Sequence, residues 1–405
     1  MTTIGLLGSY GGLNIGDEAI LTSMLTTWRA ALPFAEVVVL SRNAAHTRDA
    51  HVVDRVIDAR RGRCDAVNEE IARLDVLVLG GGGLLYDGEA TAYLRHVRTA
   101  HRNGVPTVAY ALGAGPLTTP EDRRAVREVV SAMTRVTVRD EESKRVLEDV
   151  GVERPIEVVA DPALLLTPEP VPADALLSDG VDTSGRLIAM SVREPGRAAD
   201  LAVDAYHATL AAVADFAVHR YGGQVVFVPM ERGDVRESHA VLARMTAPDR
   251  ARVLHGAYGP RESLGLMQHM DFAVGMRLHF LIFAALSDVP FLPLPYAGKV
   301  ADFARTLGIP TPDSLDRDAV GPLLAAVDRL WDERLTNAGR ARSRIEKLRP
   351  RAAAALQHVL DLLPPPSGPA ADLSSGQEGV PHAAADPAGQ RGAVDAAPAL
   401  SIARS

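Results

Sequence analysis

The sequence has 405 residues, of which 47% are hydrophobic and 23% charged, a balance typical of a globular protein with more than one domain. Its formal net charge of −8 disfavours a nucleic-acid-binding protein with a broad basic face. The single cysteine, Cys64, excludes an intrachain disulfide and a cysteine zinc cluster, and it fits a cytoplasmic location. No apolar run reaches the roughly 20 residues of a membrane-spanning helix, and the N-terminus lacks the basic region of a secretory signal.

The first half of the chain alternates short β-branched runs with amphipathic stretches. Strands are predicted at 4–7, 37–40, 76–79, 107–111 and 135–138, and helices at 18–31, 121–133 and 141–150. Alternation at this spacing predicts a parallel sheet with helices on both faces.

A second series of the same kind follows residue 162. Its predicted strands are 187–192, 224–229, 252–254, 272–274 and 291–294, and its helices are 199–219, 237–245, 261–270 and 278–286. The stretch 166–185, rich in Pro, Asp and Ser, is the predicted linker. The fold class is therefore α/β, with two doubly wound Rossmann-like domains, 1–165 and 166–363, facing each other across a cleft.

The end of the chain differs from the rest. A helical stretch over 342–363, with a break or kink at Pro350, closes the second domain. Residues 364–405 are rich in Ala, Pro, Gly and Ser and contain no aromatic residue, which predicts a disordered tail.

Three glycine-rich segments, 8–18, 80–87 and 113–116, each follow a predicted strand of the first series. Glycines let a ligand approach the backbone, and a helix N-terminus favours an anion. The segments have neither the spacing of a dinucleotide-binding motif nor the Lys-Ser/Thr of a P-loop. Because they follow parallel strands, they should share one rim of the domain. The structural alternative for the first segment is a tight turn with Asp17 as helix N-cap.

A second candidate site lies where a predicted strand passes into a helix, at Arg277, Leu278 and His279. An arginine there can bind a carboxylate or phosphate in bidentate fashion, and Arg193, at the end of another strand, is expected on the same rim. The alternative is a structural ion pair for Arg277 and a satisfied, partly buried His279.

Other polar residues favour structural interpretations. Arg139-Asp140 is interpreted as an ion pair or, with more support, a helix N-cap at Asp140. Asp161 is predicted to order the interdomain turn. Asp234 is interpreted as approaching the cleft or, with more support, as a surface residue. The histidines show no metal-ligand spacing, so the sequence predicts neither a metal site nor a cofactor.

Taken in order, these pieces resemble the polysaccharide pyruvyl transferase family over roughly residues 1–310. The resemblance rests on Gly-x-Asn-x-Gly-Asp-Glu-Ala at 12–19, the glycine run with its Asp at 80–87, and segments 113–116, 138–143, 160–162 and 277–279. One loop departs from the pattern. Where the family often has Tyr-Asp-Pro-Lys-Val, this chain has Tyr-Ala-Gly-Lys-Val at 296–300, without the carboxylate.

The resemblance implies a GT-B-like enzyme that transfers pyruvate from phosphoenolpyruvate to a sugar as a ketal, without metal or cofactor. It implies that phosphoenolpyruvate is bound by Arg193, Arg277, Leu278 and His279. His279 would be the proton donor or a partner of the phosphate, and Asp17 the base, while the acceptor side would include Asn14, Gly16, Gly81, Gly82 and Asp87. The family's acceptors are cell-wall or exopolysaccharide precursors, often lipid-linked, so contact with the inner face of a membrane is expected.

Two other functions fit the same residues. A sugar-nucleotide glycosyltransferase of the same architecture would use Arg277 and His279 to hold a diphosphate, with a nucleoside pocket in the second domain. A non-catalytic sugar-binding descendant would keep the fold alone. The sequence predicts no oligomeric state.

Overall fold

The computed structural model describes residues 2–60, 64–194, 203–256, 258–294, 298–312 and 320–363. The predicted disordered tail, 364–405, and the loop residues Tyr296 and Ala297 lie outside the described residues. Up to Pro364 the chain forms one compact unit.

The first sheet has seven parallel strands in the order β3-β2-β1-β4-β5-β6-β7. They are β1 Thr3–Leu7, β2 Glu36–Ser41, β3 Arg55–Asp58, β4 Val76–Leu85, β5 Thr107–Ala114, β6 Arg135–Val138 and β7 Ile156–Val158. The helices between them are α1 Ile15–Ala31, α2 Ala44–Ala50, α3 Cys64–Ile71, α4 Ala90–Arg102, α5 Pro120–Ser131 and α6 Glu141–Val150. The edge strands β3 and β7 were not predicted, because they are short and only partly buried.

The second sheet has five parallel strands in the order β10-β9-β8-β11-β12. They are β8 Leu187–Ser191, β9 Gln224–Phe227, β10 Ala251–Val253, β11 Phe272–Gly275 and β12 Phe291–Pro293. The helices of this half are α7 Ala173–Ser178, α8 Val203–Tyr221, α9 Arg232–Leu242, α10 Pro260–Met267, α11 Leu278–Leu286, α12 Gly298–Leu307, α13 Val320–Asp332, α14 Arg334–Ala354 and α15 Gln357–Leu360. Two parallel α/β sheets confirm the predicted fold class.

In each sheet the strand order reverses at one point, between β1 and β4 in the first and between β8 and β11 in the second. Ligands of open α/β sheets bind at such points, beyond the carboxyl ends of the strands. The first glycine-rich segment follows β1, and Arg193 and Arg277 follow β8 and β11. The topology therefore directs the predicted site residues to these two crevices.

One local prediction was wrong, because strand β4 continues through the glycine run as far as Leu85, where a loop was expected. The predicted linker 166–185 contains helix α7. Of the break or kink predicted at Pro350 the break is absent, because helix α14 runs through the proline and ends at Ala354.

The last long helix connects the two halves. From α14, Nε of Arg349 donates a hydrogen bond to the carbonyl of Leu164 (3.0 Å), and Nη2 of Arg351 donates one to that of Val158 (2.9 Å). Among the residues described, no helix combines the length and apolarity needed to cross a membrane.

Candidate active site

Helix α1 begins shortly after β1, and its first turn borders a cavity between the two sheets. Its N-cap is Asn14, whose side chain accepts hydrogen bonds from the amides of Gly16 (2.9 Å) and Asp17 (3.4 Å). The interpretation of Asp17 as the N-cap is therefore wrong. Asp17 lies in the first turn instead, with its carboxylate on the cavity wall.

His279 approaches α1 from the second half of the molecule. It lies in the first turn of α11, directly after β11. A Cβ atom built on Gly16 would lie 2.1 Å from Nδ1 of His279, so the imidazole fills the space that any side chain at position 16 would need. Gly16, expected on the acceptor side, thus sets the distance between α1 and His279.

The other ring nitrogen of His279 faces a buried carboxylate. Nε2 lies 3.6 Å from Oδ2 of Asp161. This oxygen accepts a hydrogen bond from Nη1 of Arg139 (3.0 Å), and Oδ1 accepts one from the amide of Ala163 (3.0 Å). Burial acts to raise the pKa of Asp161, but His279 and Arg139 outweigh it and hold the pKa well below its ordinary value. Asp161 orders its turn, as predicted, and in addition it faces the candidate catalytic histidine.

The carboxyl of Asp17 is in a different electrostatic environment. Burial raises its pKa above the ordinary value, while His279, a hydrogen bond from Ser9 and the charge of Lys299 act in the opposite direction. A carboxylate with raised proton affinity in a cleft is a candidate general base.

Arg139 reaches the same cavity from the end of β6. Its guanidinium is buried, and a Cβ on Gly113 would lie 2.7 Å from Nη2, so this glycine makes room for the arginine. The neighbouring Asp140 accepts a hydrogen bond from the amide of Ser143 (2.7 Å), which confirms the predicted N-cap of α6. Arg139 also forms an ion pair with Asp161. Arg139-Asp140 therefore provides both of the features considered for it, an ion pair at Arg139 and a helix N-cap at Asp140.

Arg277 is held by two carboxylates. Its Nε donates to Oδ2 of Asp234 (3.0 Å), and its Nη2 contacts both Asp234 and Glu231. Asp234 is only 1% exposed, so the prediction that it lies on the surface is wrong. Burial raises the pKa of Asp234 even though Arg277 opposes the change. The structural ion pair considered for Arg277 is therefore present, and the guanidinium still lines the cavity.

Glu231 connects Arg277 to the first half of the molecule. Its second carboxylate oxygen accepts a hydrogen bond from Nδ2 of Asn14 (2.9 Å), and the amide of Ile15 donates to the carbonyl of Met230 (2.8 Å). Burial acts to raise the pKa of Glu231, but Arg277 and Asn14 lower it overall. Glu231 is therefore ionised at neutral pH.

Arg193 lies beyond the end of β8 and lines the same cavity. The hydroxyl of Tyr206 donates a hydrogen bond to the carbonyl of Arg193 (2.6 Å), and Nε of Arg193 donates to the carbonyl of Glu194 (3.3 Å). These contacts fix the backbone that carries the guanidinium.

These side chains surround a space of about 590 Å³, which we call the central cavity. Its cationic lining residues are Arg42, Arg139, Arg193, Arg277 and Lys299, with His279 beside them. Its carboxylates are Asp17 and Glu231. Each of the three glycine-rich segments contributes to the wall, through Ser9, Gly83 and Gly115, as expected for loops on one rim.

Four of the five predicted acceptor residues lie outside the cavity lining, Gly16 and three more. A Cβ on Gly81 would lie 2.0 Å from Cγ2 of Ile20, and one on Gly82 would lie 3.1 Å from Oδ1 of Asp17. Both glycines have positive φ and let α1 pack closely on β4. Asp87 accepts hydrogen bonds from the amides of Thr118 (2.9 Å) and Thr119 (3.1 Å), on the exposed surface.

In the sequence analysis no site role was assigned to Arg139, Asp161, Glu231 or Lys299, and for Asp234 the surface was favoured over the cleft. Two signals marked Arg139 and Asp161, because each follows the end of a short strand and each lies in a segment, 138–143 or 160–162, that resembles the family. Nothing in the spacing could pair Asp234 with Arg277, because the two residues are separated by 43 positions.

The profile of the polysaccharide pyruvyl transferase family matches residues 14–298 of this chain. The protein defined by this fold and cavity is thus a two-sheet transferase, and it belongs to the polysaccharide pyruvyl transferase family. No curated protein sequence matches the chain.

Solved structures that resemble the protein share its GT-B-like fold at low sequence identity. A putative UDP-N-acetylglucosamine 2-epimerase from Listeria monocytogenes is 15% identical with a TM-score of 0.59, covering 89% of this chain and 97% of its own. UDP-GlcNAc 2-epimerase from Neisseria meningitidis, bound to UDP-GlcNAc, is 11% identical with a TM-score of 0.59, covering 89% and 100%. Anabaena HepE in complex with UDP-glucose is 13% identical with a TM-score of 0.59, covering 89% and 99%.

Proposed function

We propose that the protein transfers the pyruvyl group of phosphoenolpyruvate to a sugar as a ketal and releases phosphate. The observation that carries the proposal is the central cavity, in which several guanidinium groups and Lys299 surround His279 in a member of this family. Phosphoenolpyruvate carries a carboxylate and a phosphate close together. Cations fixed around a partly enclosed site are the groups that bind such an anion and stabilise charge during its reaction.

Arg193, Arg277, Leu278 and His279 form the donor site in this proposal, with Arg139 and Lys299 added from the geometry. Arg277 and Arg139 are each held by carboxylates before any donor arrives. Such pre-organisation lowers the entropy cost of binding. Leu278 begins α11, so the free amides of this helix N-terminus face the same anion.

The chemistry starts with protonation of the methylene carbon of phosphoenolpyruvate. A sugar hydroxyl then attacks the resulting cationic carbon, the bond from that carbon to the phosphate oxygen breaks, and a second hydroxyl closes the ketal. The two sugar hydroxyls together lose two protons. In the overall reaction, one of these protons is gained by the methylene carbon as it becomes a methyl group, and the other is gained by the departing phosphate. The products are the pyruvate ketal and inorganic phosphate.

His279 is the proton donor in this scheme, and Asp17 accepts the hydroxyl proton. The packing of His279 on Gly16, directly before Asp17 in the chain, supports a shared reaction centre. The raised pKa of Asp17 supports its role as base. Asn14 and Gly16 belong to the acceptor side, which we propose takes a glycan or a lipid-linked glycan precursor on the cytoplasmic side of a membrane.

A thermal-shift titration tests the donor. Phosphoenolpyruvate at about one hundred times its dissociation constant should stabilise the protein by about 2.7 kcal/mol, whereas sugar nucleotides should leave it unchanged. A shift with a sugar nucleotide and none with phosphoenolpyruvate would instead support the glycosyltransferase alternative.

A matched pair of variants separates catalysis from binding. His279→Gln should lower phosphate release in the presence of acceptor sugars by about 10²- to 10⁴-fold, the usual contribution of a general acid. His219→Gln, on α8 away from the cavity, should retain full activity. Equal activity in both variants would remove His279 from the reaction.

A further inference from the structure

A second cavity of about 540 Å³ adjoins the central cavity, and we call it the side cavity. The same two chain segments form a wall of both. From the first segment, Leu13, Ile15 and Glu18 face the side cavity, whereas Gly12, Asn14 and Asp17 face the central one. From the second segment, Pro229 and Arg232 face the side cavity and Met230 the central one.

The two cavities meet at Glu231, which lines both of them. The partition between them consists of the hydrogen bond from Asn14 to Glu231 and the backbone hydrogen bond from Ile15 to Met230. Because Glu231 borders both cavities, a ligand whose reacting end lies in the central cavity has its next unit beside the side cavity.

The lining of the side cavity fits an uncharged ligand. Apolar walls come from Leu13, Leu254 and Leu266, with the ring of Tyr258 beside them. Among the described residues that line it there is no lysine, and Arg232 is the one arginine, beside the carboxylates Glu18, Glu231 and Glu262. Three histidines, His46, His51 and His255, complete the polar part of the wall. With more carboxylates than arginines and lysines, the lining favours a neutral ligand over a diphosphate, and it offers apolar surface and hydrogen-bonding groups to a sugar ring.

Leu13 provides a second, independent observation. Its φ is +62°, in the left-handed region that a leucine adopts only at a cost, and 45% of its surface is exposed. Strain of this kind is found at functional sites, where the surrounding structure enforces it. At Leu13, this left-handed backbone conformation places an apolar side chain on the wall of the side cavity.

From these observations we infer that the side cavity is an acceptor subsite for the neutral sugar next to the one that receives pyruvate. The inference rests on the proposed function, because it assigns the reacting sugar to the central cavity. With a subsite for a second sugar, the acceptor is at least a disaccharide. The inference also excludes as a ligand any sugar nucleotide whose diphosphate would occupy the side cavity.

The test compares methyl glycosides of common hexoses and N-acetylhexosamines with the matching disaccharides, using phosphate release from phosphoenolpyruvate. For the sugar that reacts, the disaccharide should have a kcat/KM about tenfold above the methyl glycoside. Ala50→Trp places an indole on the wall of the side cavity from an exposed position, and it should abolish this preference. The matched control is Ala45→Trp, on the same helix α2 and outside both cavities, which should keep the preference.

Leu13→Gly is a complementary test. Glycine adopts positive φ without strain, so the melting temperature should not fall, while KM for the disaccharide should rise. A disaccharide that reacts no better than its methyl glycoside, or a preference that survives Ala50→Trp, would overturn the subsite while leaving pyruvyl transfer intact.

Saturation-transfer NMR with the same disaccharides separates the two proposals. Transfer to protons of the second ring, lost in Ala50→Trp and kept in Ala45→Trp, would support the subsite even if no phosphate were released. Absence of phosphate release with every sugar would count against the proposed function. Absence of transfer to the second ring in the wild type would overturn the subsite.

Discussion

The imidazole of His279 occupies the space that a side chain on Gly16 would need, with Nδ1 2.1 Å from the Cβ position of that glycine. Gly16 belongs to α1 beside the first sheet, and His279 begins α11 beside the second. A single glycine thus controls the approach of the two halves at the candidate reaction centre.

Gly16→Ala should therefore impair catalysis without weakening helix α1. Alanine is favoured over glycine within a helix, but its methyl group must displace His279, and a misplacement of about 1 Å can cost about 10²-fold in rate. Phosphate release and thermal melting measure the two effects. Gly339→Ala, in α14 with nothing within 4 Å of the added Cβ, is the control and should behave as wild type. Full activity in Gly16→Ala would show that the ring position is unimportant.

The two carboxylates near His279 should respond in opposite directions to the same substitution. The pKa of Asp17 is raised, so its ionised form is disfavoured in the folded protein, and Asp17→Asn should increase stability at pH 7 while abolishing activity. The pKa of Asp161 is lowered by His279 and Arg139, so Asp161→Asn should be destabilising. Urea denaturation at pH 7 measures the free energy of unfolding of both variants, which should rise in Asp17→Asn and fall in Asp161→Asn. A rise in both variants, or a fall in both, would contradict the prediction.

The destabilisation in Asp161→Asn should also depend on pH. A carboxyl with a depressed folded-state pKa contributes stability that is present above its unfolded pKa, about 3.9, and is lost as the pH falls toward the folded value. The difference in unfolding free energy between wild type and Asp161→Asn should therefore narrow below about pH 4. A difference that is constant between pH 7 and pH 3 would rule out this linkage.

Arg277 has a structural role in addition to its proposed donor role. Arg277→Ala leaves Asp234 buried without its charge partner, which should cost about 3–5 kcal/mol of stability. The double variant Arg277→Ala/Asp234→Asn should recover much of that loss, because the neutral amide can still accept the hydrogen bond from the amide of Met230. It should remain inactive. Recovered activity in the double variant would show that Arg277 only neutralises Asp234.

The patterns of the sequence predicted ten of the twelve strands described, because these are mostly apolar runs buried on both faces. The ten include the short edge strands β10 and β12, whose residues are largely buried. Patterning could not find β3, in which Arg55 and Asp58 flank two apolar residues, nor β7, with Glu157 at its centre. Their pairing with β2 and β6 makes them strands, and such tertiary pairing overrides local preference.

The candidate site was also predictable only in part. The motifs predicted that Asp17, Arg193, Arg277 and His279 follow the carboxyl ends of parallel strands, Asp17 in the first sheet and the other three in the second. All four residues line the central cavity, which both sheets border. The partners of these residues came from elsewhere in the chain. Asp234 lies on α9 and Asp161 precedes a short 3-10 helix, and neither position has a local pattern that indicates burial beside a charge.

The glycines of β4 provide the last test, because their predicted and observed roles differ. Gly81→Ala places a Cβ 2.0 Å from Ile20 at a φ of +53°, and it should cost about 1–3 kcal/mol through strain and displacement of α1. Gly88→Ala has a similar positive φ of +83° but open space around the added methyl, so it isolates the backbone cost and should be milder. Denaturant unfolding measures the loss of stability in both variants. If Gly81→Ala were as stable as Gly88→Ala but lost affinity for the acceptor, the glycine would serve binding instead of packing.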